Sequence, residues 1–286
     1  MYCILHSIDS KGFLNTTLTI ASMLYNSIVN RNIAGGDAMD LTIAETFFRI
    51  STAGSEAPLY STAATELLDR NQMADLLTRY GTEEKATGPE LAASFLGMGI
   101  YGLIAVKHMV LSQYNRVLDL SLHHLNVQYE KTPDGRVQFV FKLGEVRWAE
   151  LPQVGREGAI IEEWKKYFQE EINPIIEATA AAAGVRTDLI WNQYGSTGAF
   201  TMEYADSMFE GEVLQRYRDD FLTLCSLPGS VFNRRKNPFQ HTPRYRDNPY
   251  LPGQKTMIRS ACCMYDKREG GSKCFYCPVM AEAKKG

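Results

Sequence analysis

Residues 88–114 read GPELAASFLGMGIYGLIAVKHMVLSQY, and the architecture turns on what this stretch forms. Pro89 stands where a helix can open, because its missing N–H is not needed in the first turn. The apolar run from Phe95 to Leu111 carries Lys107 and His108. It falls short of the roughly 18 uninterrupted apolar residues of a membrane span, so it predicts a buried core helix with His108 packed and hydrogen-bonded. Gly97, Gly99 and Gly102 match G-x-G-x-x-G, with Asp119 downstream. A dinucleotide site needs a strand before the glycines and a helix opening after them. Here residues 92–96 already read as helix, so the glycines are expected to serve close packing. No tightly bound NAD(P)H is expected.

Around this helix the pattern is mostly helical. Apolar spacing predicts helices over residues 13–29, 38–50 and 62–79, punctuated by Gly35-Gly36 and by the stretch from Gly54 to Pro58. The middle of the chain changes period. Residues 118–129 and 136–142 alternate, and Thr132-Pro-Asp-Gly135 between them is a turn signal, so an antiparallel hairpin is expected, extended by residues 145–151. Helix resumes over 158–183, stopped by Gly184, and again over 187–205 and 210–225. The fold class expected is α+β, predominantly helical, with a small antiparallel sheet.

The chain has 286 residues, 45% of them hydrophobic and 22% charged, which excludes disordered and fibrous classes. A net charge of −3 argues against a general nucleic-acid binder. The first residues, MYCILHSIDSKGF, lack a basic stretch followed by an apolar one, so no secretory signal is read and a cytoplasmic protein is expected.

Charge and sulfur are unevenly placed. Residues 228–260 hold five of the eleven prolines and seven basic residues (Arg234, Arg235, Lys236, Arg244, Arg246, Lys255, Arg259) against Asp247 alone. That segment is +6 and the rest of the chain −9. Directly after it come Cys262-Cys263 and then Cys274-x-x-Cys277, four of the six cysteines. In a reducing compartment clustered cysteines bind metal or do redox chemistry more often than they form disulfides. Four thiolates suit tetrahedral zinc or an iron–sulfur cluster, and Gly270-Gly271 supplies the return between the pairs. Adjacent cysteines chelate one small ion awkwardly, whereas a two-iron cluster offers separated attachment points. Spacing alone leaves three readings open: iron–sulfur, zinc, and free or vicinal-disulfide thiols. Pro278 after Cys277 excludes c-type haem attachment there.

The CC-x10-C-x2-C-P pattern resembles that of the FhuF-like ferric siderophore reductases. Two upstream stretches are also similar to that family: Pro89-Glu-Leu-Ala-Ala-Ser94-Phe95, and Trp191-Asn192-Gln-Tyr-Gly-Ser196. The resemblance covers most of the chain, and the insert Asp266 to Glu269 is particular to this sequence. It implies a [2Fe–2S] cluster held by Cys262, Cys263, Cys274 and Cys277 in a C-terminal iron–sulfur-binding segment. It also implies one-electron reduction of a ferric siderophore, hydroxamate types included, by an external donor such as a ferredoxin or flavoprotein. The organisation is then a helical, substrate-binding body over 1–227, a basic Pro-rich segment over 228–260 and the cluster segment over 261–286. Candidate substrate contacts are Arg234, Arg235, Lys236, Arg244, Arg246, Trp191 and Asn192. The rival functions are a zinc-stabilised binding protein for a siderophore or another anion, and an electron-transfer module for another enzyme.

Other polar groups carry less. His123-His124, on the first expected strand, would point to opposite faces. Glu162-Glu163 and Glu170-Glu171 read as a solvated helix face. Cys3 and Cys225 read as buried, inert thiols, and His241 as a weaker substrate candidate within the basic segment.

Overall fold

The computed structural model describes residues 39–282. The helix expected over 13–29, and Cys3, lie outside them. The described chain is α+β and about 54% helical.

Helix α1 (Arg70–Glu83) is capped by Asp69, whose carboxylate accepts from the N–H groups of Asn71 and Gln72 at 2.9 and 3.1 Å. Helix α2 (Pro89–Tyr114) opens on Pro89, as its sequence predicts, and closes on Asn115 in the left-handed region. By length and composition α2 alone among the described helices is apolar enough to cross a membrane, but 89% of its most apolar window is buried inside the protein. It is the core helix. Gly97 lies within it, and a Cβ there would stand 2.6 Å from Ile190 Cγ2. Gly97 thus brings α2 against helix α5 (Asp188–Met208), while Gly99 lies against Phe141 and Gly102 against Phe48.

Helix α3 (Arg156–Tyr167) runs through a wide π turn (Phe168–Ile172) into α4 (Asn173–Ala183), which stops at Gly184 with φ 65°. The wide turn immediately precedes Pro174, which has no N–H to give to the preceding turn. Helix α6 (Gly211–Ser226) completes the layer packed on α2.

Strands β4 (Leu125–Lys131) and β5 (Val137–Leu143) form the expected hairpin around residues 132–135. The sheet order is β1-β5-β4-β2, with β1 (Ile50–Ser51) parallel to β5 and β2 (Tyr60–Ala63) antiparallel to β4. The principal sheet is therefore mixed, while the two small sheets are antiparallel.

Four expectations need correction. Residues 62–79 are not one helix: β2 and a 3₁₀ stretch precede the Asp69 cap that starts α1. Residues 38–50 do not form one either, because the short π segment Ala44–Phe48 ends at Arg49 (φ 58°) and enters β1. Residues 145–151 do not extend the hairpin; β6 (Trp148–Glu150) pairs with β3 (Arg116–Leu118) in a separate ribbon. His123 and His124 are in a 3₁₀ turn, with His124 Nε2 3.2 Å from Asp119.

The helix-face carboxylates also divide. Glu163 pairs at 2.7 Å with Lys107, which is 2% exposed, and Glu171 accepts from the Leu122 N–H at 2.8 Å. Glu162 and Glu170 remain on the solvated face. Lys107 also donates to the Leu118 carbonyl at 3.0 Å, so a charge that the apolar sequence made anomalous is fully engaged. His108 is buried as expected, its Nε2–H donating to the Tyr217 carbonyl at 2.9 Å.

Candidate metal centre

The cysteine segment follows a short antiparallel ribbon, β7 (Arg244–Asp247) with β8 (Lys255–Ile258). It docks on the body through two serines. Ser94, on α2, donates its hydroxyl to the Cys263 carbonyl at 2.8 Å and accepts from Gln193 Nε2 at 3.1 Å. Ser260 donates to the Asn192 carbonyl at 2.5 Å and accepts from the Ser196 N–H at 3.0 Å. The seat is thus built from the same two upstream stretches that carry the family resemblance, one on α2 and one on α5.

The loop between the cysteine pairs is pinned in turn. Ala86 bridges Arg268, the Thr87 N–H donates to the Lys267 carbonyl at 2.8 Å, and Glu269 N–H donates to the Lys85 carbonyl at 2.9 Å. Arg268 reaches the buried Glu84 at 3.2 Å. Gly270 (φ 68°) and Gly271 then turn the chain back, and a Cβ on Gly271 would meet the Tyr265 carbonyl at 2.6 Å. The second pair is closed by the Cys277 N–H on the Cys274 carbonyl at 2.9 Å, just before helix α7 (Pro278–Glu282).

The result is two crossed thiol pairs. Cys262 is influenced by its neighbour Cys277, and Cys274 by its neighbour Cys263. All four are free thiols; Cys263 and Cys277 are buried and the other two half-buried. Burial, with smaller contributions from the neighbouring cysteines, pushes the Cys262 thiol up to about 11. Cys274 is raised first by its hydrogen bond to Cys263 and then by burial, an effect the nearby Arg259 partly offsets. Among the described residues no group of three or more His, Cys, Asp or Glu side chains is drawn together around one metal position. The donors are instead offered as two pairs. That set fits a [2Fe–2S] cluster, which takes two sulfurs at each of two irons. Loading it would displace the thiol protons.

Cations surround the thiols. Arg259 is 6% exposed and stacks over Tyr276 at 5.1 Å. Arg246 donates to the Phe275 carbonyl, and Lys273 pairs with Asp266 at 2.6 Å, while the Cys262 thiol points at the other oxygen of Asp266. Sequence reasoning missed Ser94, Ser260 and Arg259 as site residues. Arg259 and Ser260 carried a signal in their closeness in sequence to Cys262, and Ser94 in its place within the Pro89 to Phe95 stretch.

The remaining candidates separate. Asn192, Arg234, Arg235 and Lys236 line one recess of about 330 Å³, together with His241 and Ser260. Arg234 is held there by Asp188 at 2.6 Å and by Asn192 at 2.9 Å, which fixes its position and lowers the Asp188 pKa. His241 Nε2 is buried with no hydrogen-bond partner among the described residues. Arg244 is exposed on β7 and does not line the recess. Trp191 lines neither cavity: it is 2% exposed among Phe168, Tyr194 and Phe232, a core residue. Cys225 is half-buried, its thiol pushed up to about 11 by burial, which agrees with an inert role.

Set against protein-family models, curated proteins and solved structures, the chain matches none of them.

Proposed function

We propose that this protein is a cytoplasmic one-electron ferric siderophore reductase whose four C-terminal cysteines hold a [2Fe–2S] cluster. The observation that carries this reading is the docking of the cysteine segment. Ser94 and Ser260 seat it with Cys262 beside Cys277 and Cys274 beside Cys263. The same segment contributes Tyr265, Arg268, Glu269, Gly270 and Gly271 to the wall of a large cavity, and Ser260, just before it, lines the basic recess.

When bound, the cluster supplies single-electron transfer. One electron arrives from an external ferredoxin or flavoprotein and leaves on the substrate's Fe(III), giving Fe(II). Oxygen chelators hold Fe(II) far more weakly, so the metal is released with the chelator intact. The chain's own residues seat the thiols, surround them with positive charge and bind the chelate. Arg246 and Arg259 are placed to favour the reduced, more negative state. Arg235 and Lys236, exposed at the basic recess, raise the local concentration of anionic substrate.

The test is the visible spectrum of anaerobically purified protein. Visible absorption that bleaches with dithionite, with about two irons per chain, is expected. The reduced protein should then yield trapped Fe(II) from a ferric siderophore. A colourless protein with one zinc per chain overturns the reading, and reduction of a protein partner without Fe(II) release reassigns it to an electron carrier.

A further inference from the structure

The larger cavity has a volume of about 520 Å³, within the size range of small-molecule sites. Among the described residues its walls come from the π segment, α1, α2, β5, α5 and the loop between the cysteine pairs. A third of its 24 lining residues are aromatic, Phe48, Phe95, Tyr101, Phe139, Phe200 and Tyr265 among them. Three guanidinium groups stand in this lining, beside the carboxylates of Glu84, Asp134 and Glu269, and Arg136 is paired with Asp134 at 2.6 Å. Arg268 is held against Tyr265 at 5.3 Å and against Glu84 at 3.2 Å. Arg49 has no ion-pair partner among the described residues, and its backbone sits in the left-handed region (φ 58°). A non-glycine residue in that region at a cavity wall is a feature that functional sites accumulate.

From these observations we infer that the aromatic cavity seats an anionic ferric chelate bearing aryl rings, of the phenolate-donor class. This rests on the reductase reading and specifies its substrate. Flat aromatic walls stack aryl rings, and each favourable ring pair contributes about 0.5–1.5 kcal/mol beyond the area it buries. Planar guanidinium groups donate to phenolate oxygens and, in bidentate fashion, to carboxylates. An aliphatic hydroxamate chelate offers neither ring nor net negative charge to this lining. Position supports the same assignment. Tyr265 and Arg268 belong to the loop that begins at Cys263, and Phe95 neighbours the Ser94 that seats it. A chelate held there lies beside the electron source.

Gallium(III) complexes test the site without reduction, because Ga(III) does not accept an electron under these conditions. Three probes suffice: the complex of the bis-phenolate ligand N,N′-bis(2-hydroxybenzyl)ethylenediamine-N,N′-diacetate, the equally charged EDTA complex without rings, and the aliphatic tris-hydroxamate desferrioxamine B complex. Titration calorimetry on the full chain should show the bis-phenolate complex binding at least about tenfold more tightly than the other two. Phe200→Leu and Arg49→Glu should each weaken it about five- to tenfold, with unchanged circular dichroism. Tighter binding of the hydroxamate complex overturns the inference. So does bis-phenolate binding that ignores both cavity variants, or that is lost in Lys236→Glu while Phe200→Leu retains it. Failure of the cluster spectrum removes the reductase reading but leaves this binding result to stand or fall separately.

Discussion

The Ser94 hydroxyl donates to the Cys263 carbonyl at 2.8 Å, joining the central helix to the cysteine segment across 169 positions of chain. Both groups are buried, so removing the donor leaves a carbonyl without its partner, at a cost of about 1–3 kcal/mol. Ser94→Ala should therefore loosen the first cysteine pair and leave the helix intact. The expected outcome is a several-fold faster loss of bound metal to a chelator, with a modest drop in melting temperature. Metal retention equal to wild type would show that the seat lies elsewhere.

The crossed pairing makes a prediction for the metal-free protein. Mild oxidation with diamide should join Cys262 to Cys277 and Cys263 to Cys274, since those thiols are neighbours. Paired serine variants resolve the ambiguity of adjacent cysteines. The Cys262→Ser/Cys277→Ser protein keeps Cys263 and Cys274 and should cross-link quickly, as read by loss of free thiol. The Cys262→Ser/Cys274→Ser protein keeps Cys263 and Cys277 and should lag behind it. Equal rates, or a vicinal Cys262–Cys263 bond in the wild type, would contradict the arrangement.

Arg259 bears on the potential. Its guanidinium is nearly inaccessible to solvent, stacked on Tyr276 and acting electrostatically on Cys274. Water screens such a charge little, and a cation near an iron–sulfur cluster favours the extra electron. Arg259→Gln should make the cluster's midpoint potential more negative in a dye-mediated redox titration. Lys255→Gln, at the exposed start of β8, should move it much less.

What was legible in the sequence was local. The helix opening on Pro89 and the hairpin around residues 132–135 depend on period, proline and glycine within one window, and both formed. Tyr60–Ala63 has no distinctive alternation and becomes a strand only because β4 offers it an edge. The ribbon of β3 with β6 joins segments on either side of the whole β4–β5 hairpin, which no local pattern links. The cysteines were readable from spacing; the stretch holding Ser94 was singled out, but not its bond to Cys263, since one hydroxyl on a helix has no spacing signature. The aromatic cavity was illegible for the same reason, its rings being scattered over six elements.

Lys107 and Glu163 are a buried pair whose value can be measured. Burial pulls the Lys107 pKa down and Glu163, 2.7 Å away, opposes it. Removing one partner leaves an uncompensated charge, so Glu163→Gln should destabilise the protein by about 3–5 kcal/mol in urea unfolding. The double variant Lys107→Met/Glu163→Gln should recover much of that loss, because no charge is then stranded. If the double variant is as unstable as the sum of the singles, the Leu118 and Tyr167 contacts of Lys107 matter more than the pair.

His108 sets an acid limit on the fold. Burial lowers its pKa to about 4, and Asp220 and the Tyr217 carbonyl oppose that shift while Arg156 adds to it. The unfolded chain binds this proton near pH 6.5, so stability present above that value is lost as pH falls from about 6.5 towards 4. Two and a half pH units correspond to about 3 kcal/mol for one group. His108→Gln keeps a donor for the Tyr217 carbonyl and removes the titration. Denaturant unfolding at pH 7 and pH 4.5 should therefore show the wild type losing more stability on acidification than the variant does. Equal losses would show that the acid sensitivity does not come from His108.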